Sequence, residues 1–217
     1  MNTRILFLEE LNRIRHDILA MASRVDENVG NAWEALRNND QDLAQEVRSA
    51  DALVNAMQLK IEDQAAVLIA TQQPVARDLR ELVTIFKITL NLERAGDHAV
   101  HLAKVALELS GEPSFRVMED LEKMTETGRD MIRSALSAYL SQDSAAARQT
   151  AALDDQIDND HKIITQGLLH LMQEHPELIN QAVHILRTSG FLERLGDHVT
   201  NICEGIVYMV ENKHEEL

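Results

Sequence analysis

The chain has 217 residues, with 21 Lys and Arg against 36 Asp and Glu, a formal net charge of −15, and 45% apolar and 26% charged residues. Only 3% aromatic residues, three prolines and eight glycines cannot punctuate a β-sandwich or barrel, which needs a turn about every 8–12 residues, so the composition predicts an all-α fold. The negative charge repels nucleic-acid phosphates and anionic membrane surfaces, and the lone Cys203 has no partner for an intramolecular disulfide.

In chain order, the interruptions Asn38-Asn39-Asp40, Gln73-Pro74, Gly111-Glu112-Pro113, Ser141-Gln142-Asp143 and His175-Pro176 leave six long segments. They lie near 3–37, 41–71, 75–109, 114–140, 143–173 and 177–213. At 1.5 Å per residue these are helices of roughly 40–55 Å, and short turns between them imply antiparallel packing. The N-terminus lacks the apolar core and cleavage site of a secretory signal, and no apolar run approaches ~20 residues. A cytoplasmic protein, at most peripheral to a membrane, is expected.

Apolar residues recur by threes and fours. In the second segment they are Leu43, Val47, Ala50, Val54, Met57, Ile61, Ala65 and Leu68; in the third, Ile85, Ile88, Leu92, Ala95, Ala99, Leu102, Ala106 and Leu109. This spacing is the seam of a helical bundle. The small residues of the third seam allow close helix approach.

The seam repeats. Leu92-Glu93-Arg94-Ala95-Gly96-Asp97-His98 recurs 100 residues later as Leu192-Glu193-Arg194-Leu195-Gly196-Asp197-His198, and Ile185, Thr188, Leu192, Leu195, Val199, Ile202, Ile206 and Met209 continue the match. Segments two and five correspond at an offset of 103, Val47, Ala50, Val54, Ile61, Ala65 and Leu68 matching Thr150, Leu153, Ile157, Ile164, Leu168 and Leu171. The chain therefore reads as two tandem three-helix bundles, 1–111 and 112–217, related by duplication rather than by a solenoid period.

The repeat carries acidic pairs one helical turn apart: Glu93 with Asp97, Glu193 with Asp197, and Asp154 with Asp158, the equivalents of the last being Asp51 and Asn55. Like charges at this spacing destabilise a helix by ~0.2–0.5 kcal/mol, and a bound cation reverses the sign. Oxygen ligands suit Mg²⁺, Mn²⁺, Ca²⁺ or Fe, and the nearby His98 and His198 leave Zn²⁺ open. The spacing alone is uninformative, because chance supplies about three such pairs in a chain this acidic. Recurrence at one place in both repeats, beside the mid-helix Gly96 and Gly196, is what singles it out. Each glycine costs about 1 kcal/mol relative to Ala, which points to close approach by a neighbouring helix or a ligand.

On a helical wheel Glu93 and Asp97 lie about 130–170° from their seam, on the flank or outside of the bundle. Inward-facing di-metal enzymes use Glu-x-x-His from two helices, and the sole Glu-x-x-His here is Glu211–His214, in a tail expected to fray. The bland readings are a solvated surface, local pairing by Arg94 and Arg194, hydrogen-bonded flank histidines at His98 and His198, and packing by Trp33.

These motifs resemble the PhoU family of bacterial phosphate-signalling accessory proteins, as do Gln73-Pro74-Val75-Ala76-Arg77-Asp78-Leu79-Arg80 and Asp51-Ala52-Leu53-Val54-Asn55. The resemblance implies surface metal sites holding Fe, Zn, Mn or Mg, often multinuclear. Carried over residue by residue, the ligands are Asp154, Asp158, Glu193 and Asp197 in the second repeat and Asp51, Glu93 and Asp97 in the first. Asn55 weakens the first site, and His101 and Lys104 stand where the second copy has Asn201 and Glu204, so the second site is expected to bind more tightly. The implied role is non-enzymatic: repression of the phosphate-starvation response, connecting the phosphate ABC transporter through its ATPase subunit to a sensor histidine kinase. A homodimer is also implied, and Val75, Leu82, Val83, Phe86 and Leu90 are expected to face outward. A carboxylate-bridged metalloenzyme and a metal-free structural protein are the alternatives.

Overall fold

The computed structural model of the chain describes residues 3–109 and 117–217. Among them all regular structure is helical: α1 (Thr3–Asn38), α2 (Gln41–Gln72), α3 (Ala76–Glu108), α4 (Met118–Ser141), α5 (Ser144–Ala151), α6 (Asp154–Glu174) and α7 (Ile179–Glu211), with a 3₁₀ turn at Pro176–Leu178. The break expected at Gly111-Glu112-Pro113, and with it the boundary at 111–112, lies outside the described residues.

The first turns of the two repeats are built alike. Asn39 and Gln142 adopt left-handed backbone with φ of 53° and 54°. Each is followed by an aspartate that caps the next helix: Asp40 accepts from the Leu43 amide, and Asp143 from the amides of Ala145 and Ala146.

Helices α1, α2 and α3 pack together, as do α4, α5, α6 and α7, and α3 lies along α7 in the most extensive contact of the molecule. The apolar seams of α3 and α7 are buried over their whole length, and the buried residues of both repeats form one core. Contacts between α3 and α7 run antiparallel, from Thr84–Gly205 through Asn91–His198 to Glu108–Arg187. The separation of the paired residues falls along the contact and equals 100 where His98 stacks on His198, which puts a pseudo-twofold axis at the repeated motif. Cys203 is fully buried on α7, and burial pushes its thiol up to about 12.

Four expectations are corrected. The fifth segment is not one helix: at Ala152–Leu153 the ladder tightens to Leu153 N–H→Thr150 O and Gln156 N–H→Leu153 O bonds, so α6 starts afresh at Asp154. Leu153, placed on the seam by its spacing, is 36% exposed at this turn. Leu82 is buried, unlike the exposed Val75, Val83 and Leu90, because α3 is packed on more than one side; Phe86 is half-buried against the core. The tail after α7 is docked rather than frayed: Arg148 holds Glu211 and Glu215, and His214 stacks on Tyr208 with ring centroids 4.4 Å apart.

Among the described residues, no helix is long and apolar enough to cross a membrane.

One buried ion pair ties three helices. The Arg15 guanidinium of α1 donates to both oxygens of Glu81 on α3 at 2.7 and 2.8 Å, and Tyr139 of α4 donates to the same carboxylate at 3.4 Å. The Glu81 side chain is 4% exposed. Removing one partner leaves a charge buried without compensation. Arg15→Ala is therefore expected to lower stability by about 3 kcal/mol in urea denaturation, far more than loss of the exposed Arg13–Glu10 pair.

Candidate metal centre

In the second repeat, α6 brings Asp154 and Asp158 toward Glu193 and Asp197 of α7. Asp154 is half-buried, Thr200 donates to its Oδ2 at 3.3 Å, and its Oδ1 is buried without a partner. Burial first, then the negative charges of Asp197, Asp158 and Glu193, push its carboxyl up to about 6. Glu193 is raised in the same way, by burial and then by Asp197, with His161 opposing. The restart of the helix at Asp154 puts this carboxylate in the first turn of α6, where the helix dipole favours negative charge.

The Asp154 carboxylate also explains the mid-helix glycine. A Cβ on Gly196 would stand 2.0 Å from Asp154 Oδ1 and 3.3 Å from Ile157 Cδ1. Gly96 has no such neighbour: a Cβ there would meet Val54 Cγ1 at 3.4 Å, an ordinary contact. The same residue type therefore serves different ends in the two copies.

In the first repeat, α2 and α3 bring Asp51 near Glu93 and Asp97, and sequence reasoning missed a further carboxylate, Glu62. Burial first, then Asp97, with smaller contributions from Asp51 and Glu62, raises Glu93, while Arg94 opposes. Glu62 accepts from Thr89 Oγ1 at 3.2 Å and from Gln58 at 2.9 Å. Asn55 donates toward Asp51 at 3.5 Å, and its own Oδ1 is buried without a partner. The offset of 103 pairs Glu62 with Thr165, so comparing charges between the repeats was the available signal. Arg94 pairs locally with Asp97 at 3.3 Å and Glu93 at 3.5 Å, whereas Arg194 makes no such pair among the described residues.

The carboxylates lie on the flank of the bundle: the Glu93 side chain is 16% exposed and that of Asp97 30%, while in the second repeat the Asp158 side chain is 43% exposed and Asp197 is open to solvent. The motif histidines occupy the junction. His98 and His198 stack at 5.4 Å; Asn91 meets His198 Nδ1 at 3.0 Å, and its repeat partner Phe191 stacks on His98 at 6.1 Å. Burial, then His198 and His101, hold His98 down at about 4.

Among the described residues, no three His, Cys, Asp or Glu side chains are already gathered in a ligating arrangement. The donor chemistry nevertheless fits a hard cation: half-buried carboxylates raise one another's affinity for protons, and the Asp154 Oδ1 lacks any donor. Asp154, Asp158, Glu193 and Asp197 could hold one cation site, and Asp51, Glu93 and Asp97 another; Glu62, about 16 Å along α2 from Asp51, cannot share a cation with it.

Gly196→Ala is expected to expel Asp154 and destabilise the metal-free protein, while Gly96→Ala is tolerated and gains up to about 1 kcal/mol of helix propensity; urea denaturation of both separates them. The Asp154 carboxyl, raised from 3.8 to about 6 on folding, favours the native state as pH falls through 6, and that contribution is lost as pH rises above it. His98 acts oppositely, since a base held near 4 against 6.5 costs stability as pH falls through that range. The comparison with Asp154→Asn isolates the carboxyl. With screening by the solvent that reaches this flank, the metal-free variant is expected to be about 1–2 kcal/mol more stable at pH 8, with the advantage gone by pH 4.

The family model described as the PhoU domain matches the chain twice, over residues 18–106 and 121–206. The phosphate-specific transport system accessory protein PhoU homolog of Clostridium acetobutylicum is 35% identical over 216 residues, 99% of each chain. The homolog of Pseudomonas aeruginosa is 34% identical, covering 94% of this chain and 85% of its own. Crystal structures of PhoU from Pseudomonas aeruginosa and of the phosphate transport system regulatory protein PhoU from Streptococcus pneumoniae each superpose with a TM-score of 0.91. Their identities are 33% and 30%, over 95% and 97% of this chain and the whole of theirs. With the family's model matched in both repeats and relatives similar along nearly the entire sequence, the chain belongs to the PhoU family.

Proposed function

We propose that this chain is a non-enzymatic, metal-binding accessory protein of phosphate transport, acting as a negative regulator of the phosphate-starvation response. In this reading each repeat, 1–111 and 112–217, carries one cation site. The observation that carries the reading is the Asp154 carboxylate, half-buried among like charges with one oxygen lacking any donor. A divalent cation such as Mn²⁺, Mg²⁺, Fe or Zn²⁺ supplies the missing positive charge when bound. Asp154 and Asp158 would then be joined to Glu193 and Asp197 across α6 and α7, and Asp51 to Glu93 and Asp97 across α2 and α3. Asn55 supplies no carboxylate and Arg94 competes for Glu93 and Asp97, so the second repeat loads first.

The partners in this reading are the ATPase subunit of the phosphate ABC transporter and the phosphate-sensing histidine kinase, engaged by a cytoplasmic homodimer. The names of the relatives support the transport role. The exposed Leu79 and Val83 recur as the exposed Ile179 and Val183, a duplicated apolar surface of the kind that docking uses.

Metal analysis after stringent chelation and Mn²⁺ reloading tests the reading. Wild-type protein should take up Mn²⁺ with the second-repeat site about tenfold tighter, and Glu193→Ala with Asp197→Ala should remove that site alone. In cells, the double variant should lose co-purification with the transporter ATPase and derepress phosphate-starvation genes. A reloaded wild type without Mn²⁺, or a double variant that regulates normally, overturns the proposal.

A further inference from the structure

Three residues after Asp158 stands His161, and no other aspartate in the chain is followed by a histidine at that spacing. An acid and a histidine at i and i+3 project from one helical face, and in carboxylate-bridged bundles they supply an oxygen and a nitrogen to one metal. At 100° per residue Asp154, Asp158 and His161 fall within an arc of about 60°, on the side of α6 that meets α7.

From there His161 reaches the acids of α7. With Glu193, Asp197, Thr165 and Arg194 it lines a cavity of about 530 Å³ between α6 and α7. A Cβ on Gly190, one turn before Glu193, would stand 3.9 Å from its Cε1. After burial and Asp197, it is His161 that acts on the Glu193 carboxyl, ahead of Asp158. Lying about 10 Å along α6 from Asp154, His161 belongs to the Asp158–Glu193 end of the site. The local competitor for Asp158 is Lys162 at 3.5 Å, an exposed pair of little strength.

The ring is also held as a ligating imidazole is held, with its other nitrogen at a fixed acceptor. Ser189 Oγ lies 3.0 Å from His161 Nδ1 and 3.0 Å from Leu186 O, so its hydroxyl hydrogen has a carbonyl to go to and its lone pairs can receive an Nδ1 proton. Nε2 is left for the cation. The cation itself selects this state, displacing any proton from Nε2 as it binds.

The first repeat has amides at both positions. The offset of 103 matches Asn55 with Asp158 and Gln58 with His161, and Gln58 is already engaged, donating to Glu62 at 2.9 Å. One spacing therefore carries an acid and an imidazole in the second copy and two amides in the first, and this nitrogen donor exists in one copy alone.

We propose that His161 Nε2 is a ligand of the second-repeat cation, together with Asp158 and Glu193, and that it turns this site toward a borderline metal such as Zn²⁺ at the expense of Mn²⁺ and Mg²⁺. The inference rests on the metal-binding reading above and adds a nitrogen ligand to it.

Competition titration against a chromophoric chelator tests this on the full chain, carrying Glu93→Ala and Asp97→Ala so that the second site alone is read. His161→Gln, which installs the residue of the first repeat, should weaken Zn²⁺ at least about tenfold, the scale on which even the outer partner of a ligand acts, and Mn²⁺ far less, with circular dichroism unchanged. Pulsed electron paramagnetic resonance of the Mn²⁺-saturated parent should show the nitrogen coupling of a bound imidazole, and His161→Gln should abolish it. A parent that binds Mn²⁺ without nitrogen coupling overturns this inference whatever the variant does. So does a His161→Gln protein in which Zn²⁺ and Mn²⁺ weaken equally, as loss of a merely structural contact would give, or in which neither weakens. Each of these leaves the metal reading standing, whereas a parent that takes up neither metal overturns both.

Discussion

Like charges held close together on a partly dry helical flank are the constraint on which the rest of this molecule depends. Carboxylates at i and i+4 repel even in water, and burial strengthens the repulsion by removing the solvent that screens it. Asp154 and Glu193 experience both effects, and the scaffold keeps them there. The long helices make this possible: the buried core, continuous through both repeats, fixes α6 against α7 and α2 against α3 independently of the acids. A flank stabilised from elsewhere can carry an unfavourable charge arrangement that a less firmly packed structure would relieve by opening.

Duplication supplied two copies of that arrangement, and the copies have diverged in physical terms. The second has a helix start at Asp154, a glycine pressed by a carboxylate, and an unpaired arginine beside a cavity. The first has an uninterrupted α2, a glycine in ordinary contact with Val54, an additional carboxylate at Glu62, and an arginine already engaged by its neighbours. The histidines of the two motifs have remained together, stacking where the repeats meet, so each flank is one residue away from the seam that joins them.

Much of the fold was legible in the sequence because helical bundles are specified by local periodicity. The seams of α3 and α7 are buried at the positions their spacing requires, and the asparagine, glutamine and aspartate breakers form the turns. What periodicity cannot show is how one repeat packs on the other. Leu82 was expected to face outward and is buried, because α3 packs along α7 as well as against α1 and α2. The restart at Asp154 was hidden because Ala152 and Leu153 are good helix formers, and only the hydrogen-bond pattern marks the tightening. Long-range pairs such as Arg15–Glu81 left no signature at all, since charged residues abound on every segment.

The docked tail gives the carboxyl end of the chain an unexpected reach. Arg148, on the short α5, grips Glu211 and Glu215, and the Leu217 amide reaches Glu204 on α7. Six residues beyond Arg148 the chain arrives at Asp154. A load applied to residues 212–217 would reach this clamp and, through α5, the start of α6 at Asp154, whose carboxyl is already held above its ordinary range by burial and its acidic neighbours.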